Sequence, residues 1–253
     1  MTDQNERATP SPASDPTGGV NQARRRRLLT GTAAGAGVFL AMQAKTALGV
    51  TKCQSPSAMI SGNQSPRPGD GHVCSGGRSP GFWVQPQHFP YWIGLSYPTF
   101  SSGITVCSTG LGNVSPCDIV NKGTLVGSLF AGAPGATKGI WEVIMWPTNY
   151  PTYTGANCTG TKNNTDVFGG KGQLLRHLSC AYLNAAYFGS ASQDYPITTQ
   201  QVIDMWNAVK NGGLYCPTGM TCGGGGMSAD QIIAYISGMY DINADVPNLC
   251  KTV

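Results

Sequence analysis

The chain has 253 residues, of which only 11% are charged and 35 are glycine. That composition argues against a helical bundle or a disordered tail and fits a loop-rich extracellular fold. The formal net charge of +4 is mostly N-terminal: residues 1–49 carry six Lys/Arg against three Asp/Glu, residues 50–253 ten against nine. No basic face therefore remains for nucleic acid.

Residues 1–23 are polar and rich in Pro, Ser, Gly and Asn. Arg24-Arg25-Arg26-Arg27 follows, and then 17 uncharged residues, Leu28 to Ala44. A small-x-small pattern at Ala47-Leu48-Gly49 predicts a mature start near Val50. This basic, apolar, cleavable layout resembles a twin-arginine signal, with Arg25-Arg26-Arg27-Leu28-Leu29 read as R-R-x-L-L. The resemblance implies the twin-arginine export machinery as a partner, with Arg25 and Arg26 as its recognition residues. The competing reading is a membrane anchor, but 17 glycine-containing residues are short for ~30 Å of hydrocarbon, so no stable span is expected after cleavage. Cys53 follows Val50-Thr51-Lys52, which is not a lipobox. The expected location is the periplasm, the cell surface or the medium.

Residues 50–81 are turn-rich, and residues 82–100 hold seven of the 22 aromatics. The prolines of that aromatic segment predict an extended backbone. Residues 101–118 read as irregular and clipped by cysteines. A short helix is expected within Gly123 to Gly132, an apolar run from Ile140 to Trp146, and a long Thr/Asn/Gly loop over 147–171. Gln173 to Phe188 places Leu174, Leu178, Ala181, Tyr182 and Ala185 on one helical face, with Cys180 off it. Thr198-x-x-Gln201 and Ser228-x-x-Gln231 are capping boxes that open helices running to Lys210 and Tyr240. The fold class that follows is mostly α with long irregular disulfide-linked segments. After the leader at 1–49, the Cys/Gly/aromatic-rich region 50–171 is expected to pack with the helical region 172–253 as one globular domain.

All nine cysteines follow the leader: Cys53, Cys74, Cys107, Cys117, Cys158, Cys180, Cys216, Cys222 and Cys250. In an exported chain they read as a disulfide framework using eight of the nine. No C-x-x-C occurs, which argues against a zinc ribbon, a redox pair or haem attachment. Proximity favours Cys216–Cys222 and next Cys107–Cys117, while the full connectivity stays open. The odd cysteine could join a surface or extracellular partner.

Three segments resemble a group of exported bacterial proteins with an S-P-G-[FY]-W-type motif. They are Ser79-Pro80-Gly81-Phe82-Trp83 within Arg78 to His88, Leu174 to Ala186 as an L-x-R-x-x-x-A-x-L-N-A helix, and Gln201 to Ala208. Val84-Gln85 stands where the group often has Lys-Asn, so no role of that lysine carries over. The resemblance implies a secreted or surface-located domain and supplies no active site.

The aromatic segment is the best binding candidate, with Trp83, His88, Tyr91 and Trp92 as ligand-contacting residues that could stack on sugars or a partner. The opposing reading makes Phe82, Trp83 and Trp92 core anchors, because aromatic rings supply much of the buried area in a small core. Glu142, the one glutamate after the leader, could pair with Asp118 or Asp166 as glycosidase carboxyls, although nothing in the spacing selects them. His72 lies beside Cys74 without a second ligand pair, and His177 reads as a structural hydrogen-bonding residue. Asp241-Ile242-Asn243-Ala244-Asp245 opens like an EF-hand loop but continues with Val246 and Thr252 where Gly and Glu belong. No catalytic residue, metal or cofactor is therefore assigned. The expected function is a non-enzymatic secreted or surface protein acting by binding or assembly. The alternative is a secreted hydrolase of an envelope or extracellular polysaccharide.

Overall fold

The computed structural model describes residues 55–61, 76–107, 113–190, 195–223, 225–240 and 250–253. The leader, Cys53, His72, Cys74 and the 241–245 segment lie outside the described residues. In chain order the elements are α1 (Pro56–Ser61), α2 (Pro80–Trp83), a 3-10 turn (Pro86–Tyr91), β1 (Thr99–Phe100), β2 (Thr105–Cys107), a 3-10 turn (Pro116–Asp118) and β3 (Ile119–Asn121). Next come α3 (Val126–Leu129), α4 (Ile140–Met145), β4 (Tyr150–Tyr153), a 3-10 turn (Ala156–Cys158) and β5 (Lys162–Thr165). The rest is α5 (Gly172–Ser190), α6 (Thr199–Val209), α7 (Ala229–Gly238) and β6 (Cys250–Thr252).

The expectation of a mostly α fold is overturned. Helix accounts for 43% of the described residues and strand for 15%, so the protein mixes α and β. The strands form three separate antiparallel pairs, β1 with β3, β2 with β6, and β4 with β5. Each strand has only two to four residues, and Lys162–Thr165 is exposed throughout. Strands this short show no alternation of buried and exposed residues, so they leave no period-two signal in the sequence. The 147–171 segment, expected to be a loop, contains the β4–β5 pair.

Helix α5 is the central element. It packs against α7, α6, α4 and α2. One side contributes Leu174, Leu178, Ala181 and Ala185 to a core shared with Val202, Trp206, Ile232 and Ile236 of α6 and α7. A second side adds Cys180 and Leu183 to a core built from Phe82, Trp83, Phe89, Trp92, Ile140, Trp141 and Ile144. The sequence pattern shows only the first of these faces. At the start of α5, Gly172 lies so close to Pro147 that an added Cβ would sit 1.6 Å from the Pro147 carbonyl oxygen. Both capping boxes form. Thr198 Oγ1 accepts from Gln201 N at 3.2 Å while Gln201 Oε1 accepts from Thr198 N at 2.9 Å. Ser228 and Gln231 repeat the pattern at 3.3 and 2.8 Å.

Three disulfides are described: Cys107–Cys250, Cys117–Cys158 and Cys216–Cys222. The short turn predicted for Cys216–Cys222 is present, but Cys107 does not pair with Cys117. Cys107 lies on β2, where the β2–β6 register sets it directly opposite Cys250. Cys117 instead ties the turn before β3 to the tip of the β4–β5 hairpin. Cys180 enters none of these three bridges and is fully buried. An interchain bridge through it would require opening the core. Among the described residues, no helix is long and apolar enough to cross a membrane.

Candidate functional site

The aromatic segment is compact turn rather than extended chain. Pro80 and Pro86 sit at the starts of α2 and the following 3-10 turn, where their fixed φ and missing N–H suit the first helical position. The expectation of an extended backbone failed because those prolines initiate turns. Trp83 is fully buried, and Trp92, His88 and Phe82 are almost so. Three of the four predicted ligand-contacting residues, Trp83, His88 and Trp92, thus lie in or against the core, and only Tyr91 is open to solvent.

Polar anchors fix the buried rings. Asn184 of α5 accepts hydrogen bonds at Oδ1 from the Arg78 backbone N–H at 2.7 Å and from Trp83 Nε1 at 3.2 Å. Its Nδ2 donates to the Arg78 carbonyl at 3.1 Å. The S-P-G-F-W segment and the L-N-A helix therefore meet at one buried amide. Gly77 allows this approach, since a Cβ there would fall 2.5 Å from Asn184 Nδ2. Trp141 Nε1 donates to the Val84 carbonyl at 2.9 Å. His88 Nδ1 lies 2.8 Å from the Phe82 carbonyl, and the two rings stack at 3.6 Å and 10°.

Beyond this anchored base, the loop from Pro90 to Tyr97 faces solvent apart from buried Trp92. Tyr91 is 39% exposed, Ile93 43% and Tyr97 46%. Tyr97 stacks on buried Phe89 at 5.2 Å and 19°. Tyr91 lies nearly parallel to His88 at 6.0 Å and against Tyr187 at 5.1 Å. The loop is tied to the turn after β3: Ser96 N donates to Thr124 Oγ1, and Thr124 N to the Ser96 carbonyl, both at 2.8 Å. Exposed Val120 and Leu125 lie on that neighbouring segment. Sequence reading left Ile93 and Tyr97 out of the site. The available signal was their place in a Gly/Ser/Pro turn, where a large side chain has no periodic partner to bury it.

The three carboxylates considered for hydrolysis are each bound locally. Buried Glu142 accepts at Oε2 from Gly139 N and at Oε1 from the Tyr150 hydroxyl, both at 2.5 Å, which caps α4. Lys138 Nζ donates to the Tyr150 hydroxyl at 3.1 Å and lies 4.2 Å from that ring's centre. Burial lowers the Lys138 pKa, against the opposing pull of Glu142. Burial, then the hydrogen bond to Glu142, raise that of Tyr150. Asp118 accepts from Ser115 N at 2.7 Å and Ser115 Oγ at 2.6 Å, and Asp166 from Phe168 N at 3.1 Å and Gly170 N at 2.5 Å. Glu142 thus caps a helix, and the two aspartates close turns of their own.

His177 has the structural role expected of it. Its Nδ1 lies 2.9 Å from the Tyr240 hydroxyl, and the two rings are parallel. Burial, reinforced by Arg176, lowers its pKa to about 4. A histidine depressed in the folded state stabilises fully above its unfolded pKa near 6.5, and that stability is lost as pH falls toward 4. We expect the unfolding free energy to fall by about 2–3 kcal/mol between pH 7 and pH 4 through this group. A His177→Gln variant, followed by urea unfolding at both pH values, should lose that share of the drop. An unchanged pH dependence would refute this role.

Among the described residues, no group of three or more His, Cys, Asp or Glu is placed to hold a metal ion. Comparison with protein-family models, with curated proteins and with solved structures gave no match.

Proposed function

We propose that the protein is exported and acts by binding or assembly, using the loop from Pro90 to Tyr97. The observation that carries this reading is the exposure of Tyr91, Ile93 and Tyr97 on a loop whose base is locked into the core. Side chains already held by stacking lose little freedom when a partner arrives, so their contact area converts efficiently into affinity. Two further features support the export part. Three disulfides suit an oxidising compartment, and the Arg25-Arg26 leader suits the twin-arginine route.

The test uses the wild type, Glu142→Gln and a Tyr91→Ala/Tyr97→Ala double variant, each incubated with bacterial envelopes and pelleted. The double variant should lose at least about tenfold in retention, equivalent to ~1.4 kcal/mol, with its melt unchanged. The Glu142→Gln protein should be retained like the wild type. If Glu142→Gln instead abolishes a polymer-degrading activity of the wild type without altering its melt, a hydrolase reading replaces this one.

A further inference from the structure

We infer that the exposed aromatic loop binds an uncharged polysaccharide. This rests on the binding reading above and names its ligand class. The carrying observation is charge. From Ser79 to Cys117, 39 consecutive residues that include both exposed rings, there is no Asp, Glu, Lys or Arg. The charges that flank this stretch are turned to other partners. The Arg78 guanidinium lies over the Phe82 and Phe188 rings at 5.4 and 5.9 Å. The Asp118 carboxylate is held by Ser115, and the Lys122 amine donates to the Thr137 carbonyl at 3.1 Å. Anionic polymers, nucleic acids and acidic lipid surfaces need fixed cations to bind them, and the stretch that carries both rings holds none.

What the surface does offer matches a neutral pyranose. One face of Tyr97 stacks on Phe89, and the residue as a whole remains about half exposed. The π face of an aromatic ring carries negative charge density and attracts the weakly positive C–H face of a sugar ring. Ser96, Thr99 and Asn121 are exposed nearby and supply neutral hydroxyl and amide groups for sugar hydroxyls. Protein interfaces share this enrichment in Tyr and Trp but add Arg, which this loop lacks.

The experiment incubates the whole protein with insoluble cellulose, chitin and a calcium gel of polygalacturonate, at low salt and at 1 M NaCl. Retention on at least one neutral polymer is expected, undiminished by salt because no charge pair is screened. Tyr91→Ala and Tyr97→Ala should each weaken it about tenfold while leaving the thermal melt in place. Failure on both neutral polymers, or equal retention on polygalacturonate that salt removes, overturns the inference. Envelopes treated with periodate or with protease separate the sources. Tyr-dependent capture that survives periodate but not protease means a protein ligand, so this inference falls while the binding function stands. Capture of the double variant at wild-type level refutes both.

Discussion

Replacing Cys107 and Cys250 by serine lowers the unfolding free energy more than removing either of the other two described bridges. Their separation is 143 residues, against 41 for Cys117–Cys158 and 6 for Cys216–Cys222. A cross-link restricts the unfolded chain more as the loop it closes grows. The Cys117–Cys158 bridge lies inside the larger loop and shortens it to about 100 residues, for which the loop relation gives about 4.7 kcal/mol. The same relation gives roughly 4 kcal/mol for Cys117–Cys158 and roughly 2 kcal/mol for Cys216–Cys222. The folded side reinforces the first effect, because the bridge joins paired strands. Thr105 Oγ1 and Thr252 Oγ1 lie 3.0 Å apart, and Val253 N donates to the Ile104 carbonyl at 2.9 Å. Urea unfolding of the three serine-pair variants should rank their losses in that order. Equal losses for the first and third pairs would refute the argument.

An Asn184→Ala substitution should cost about 3–4 kcal/mol, because one buried amide serves three hydrogen bonds. Its removal strands the buried Trp83 indole N–H and the part-buried Arg78 N–H and carbonyl, and a buried group left unsatisfied costs about 1–3 kcal/mol. Gly77→Ala should damage the same contact from the other side, since its Cβ would also meet the Tyr195 ring at 2.9 Å. The two substitutions share partners, so the double variant should lose less than the sum of the singles. Thermal melts and near-ultraviolet dichroism of the tryptophans report both effects. A drop below about 1 kcal/mol for Asn184→Ala would be no more than an average point substitution costs and would refute the clamp.

The three long helices were legible in the sequence because each carries a local signal, an apolar face in α5 and a capping box at the start of α6 and of α7. Leu174, Leu178, Ala181 and Ala185 recur at helical spacing in α5, and the Thr198 and Ser228 boxes mark the other two starts. The strands carried neither signal. Thr99–Phe100 and Cys250–Thr252 are stabilised by what lies opposite, and nothing within two or three residues reveals that the first pairs with Ile119–Asn121 or that the second pairs with Thr105–Cys107, more than a hundred positions away. The aromatic segment illustrates a different obstacle. Its composition identified a cluster, but whether a ring is buried depends on which side of a proline-initiated turn it leaves, so Trp83 went inward and Tyr97 outward. The meeting of Arg78 with Asn184 depends on tertiary packing, and only the shared motif pattern hinted that the two segments belong together.

The bridges also determine what a protease would leave behind. Cys117–Cys158 is nested within Cys107–Cys250, and the β4–β5 hairpin presents the exposed tip around Thr154 to Gly160 as a natural place to be nicked. A single cut there, or anywhere between residues 107 and 250, severs the backbone but not the molecule. The two pieces stay joined through sulfur, and α5 keeps contacts with elements on both sides of the cut. Outside a cell, where peptidases are common and thiol reductants scarce, such a nicked molecule would keep its shape and its exposed tyrosines. Cleavage would then show itself as separate bands only after reduction.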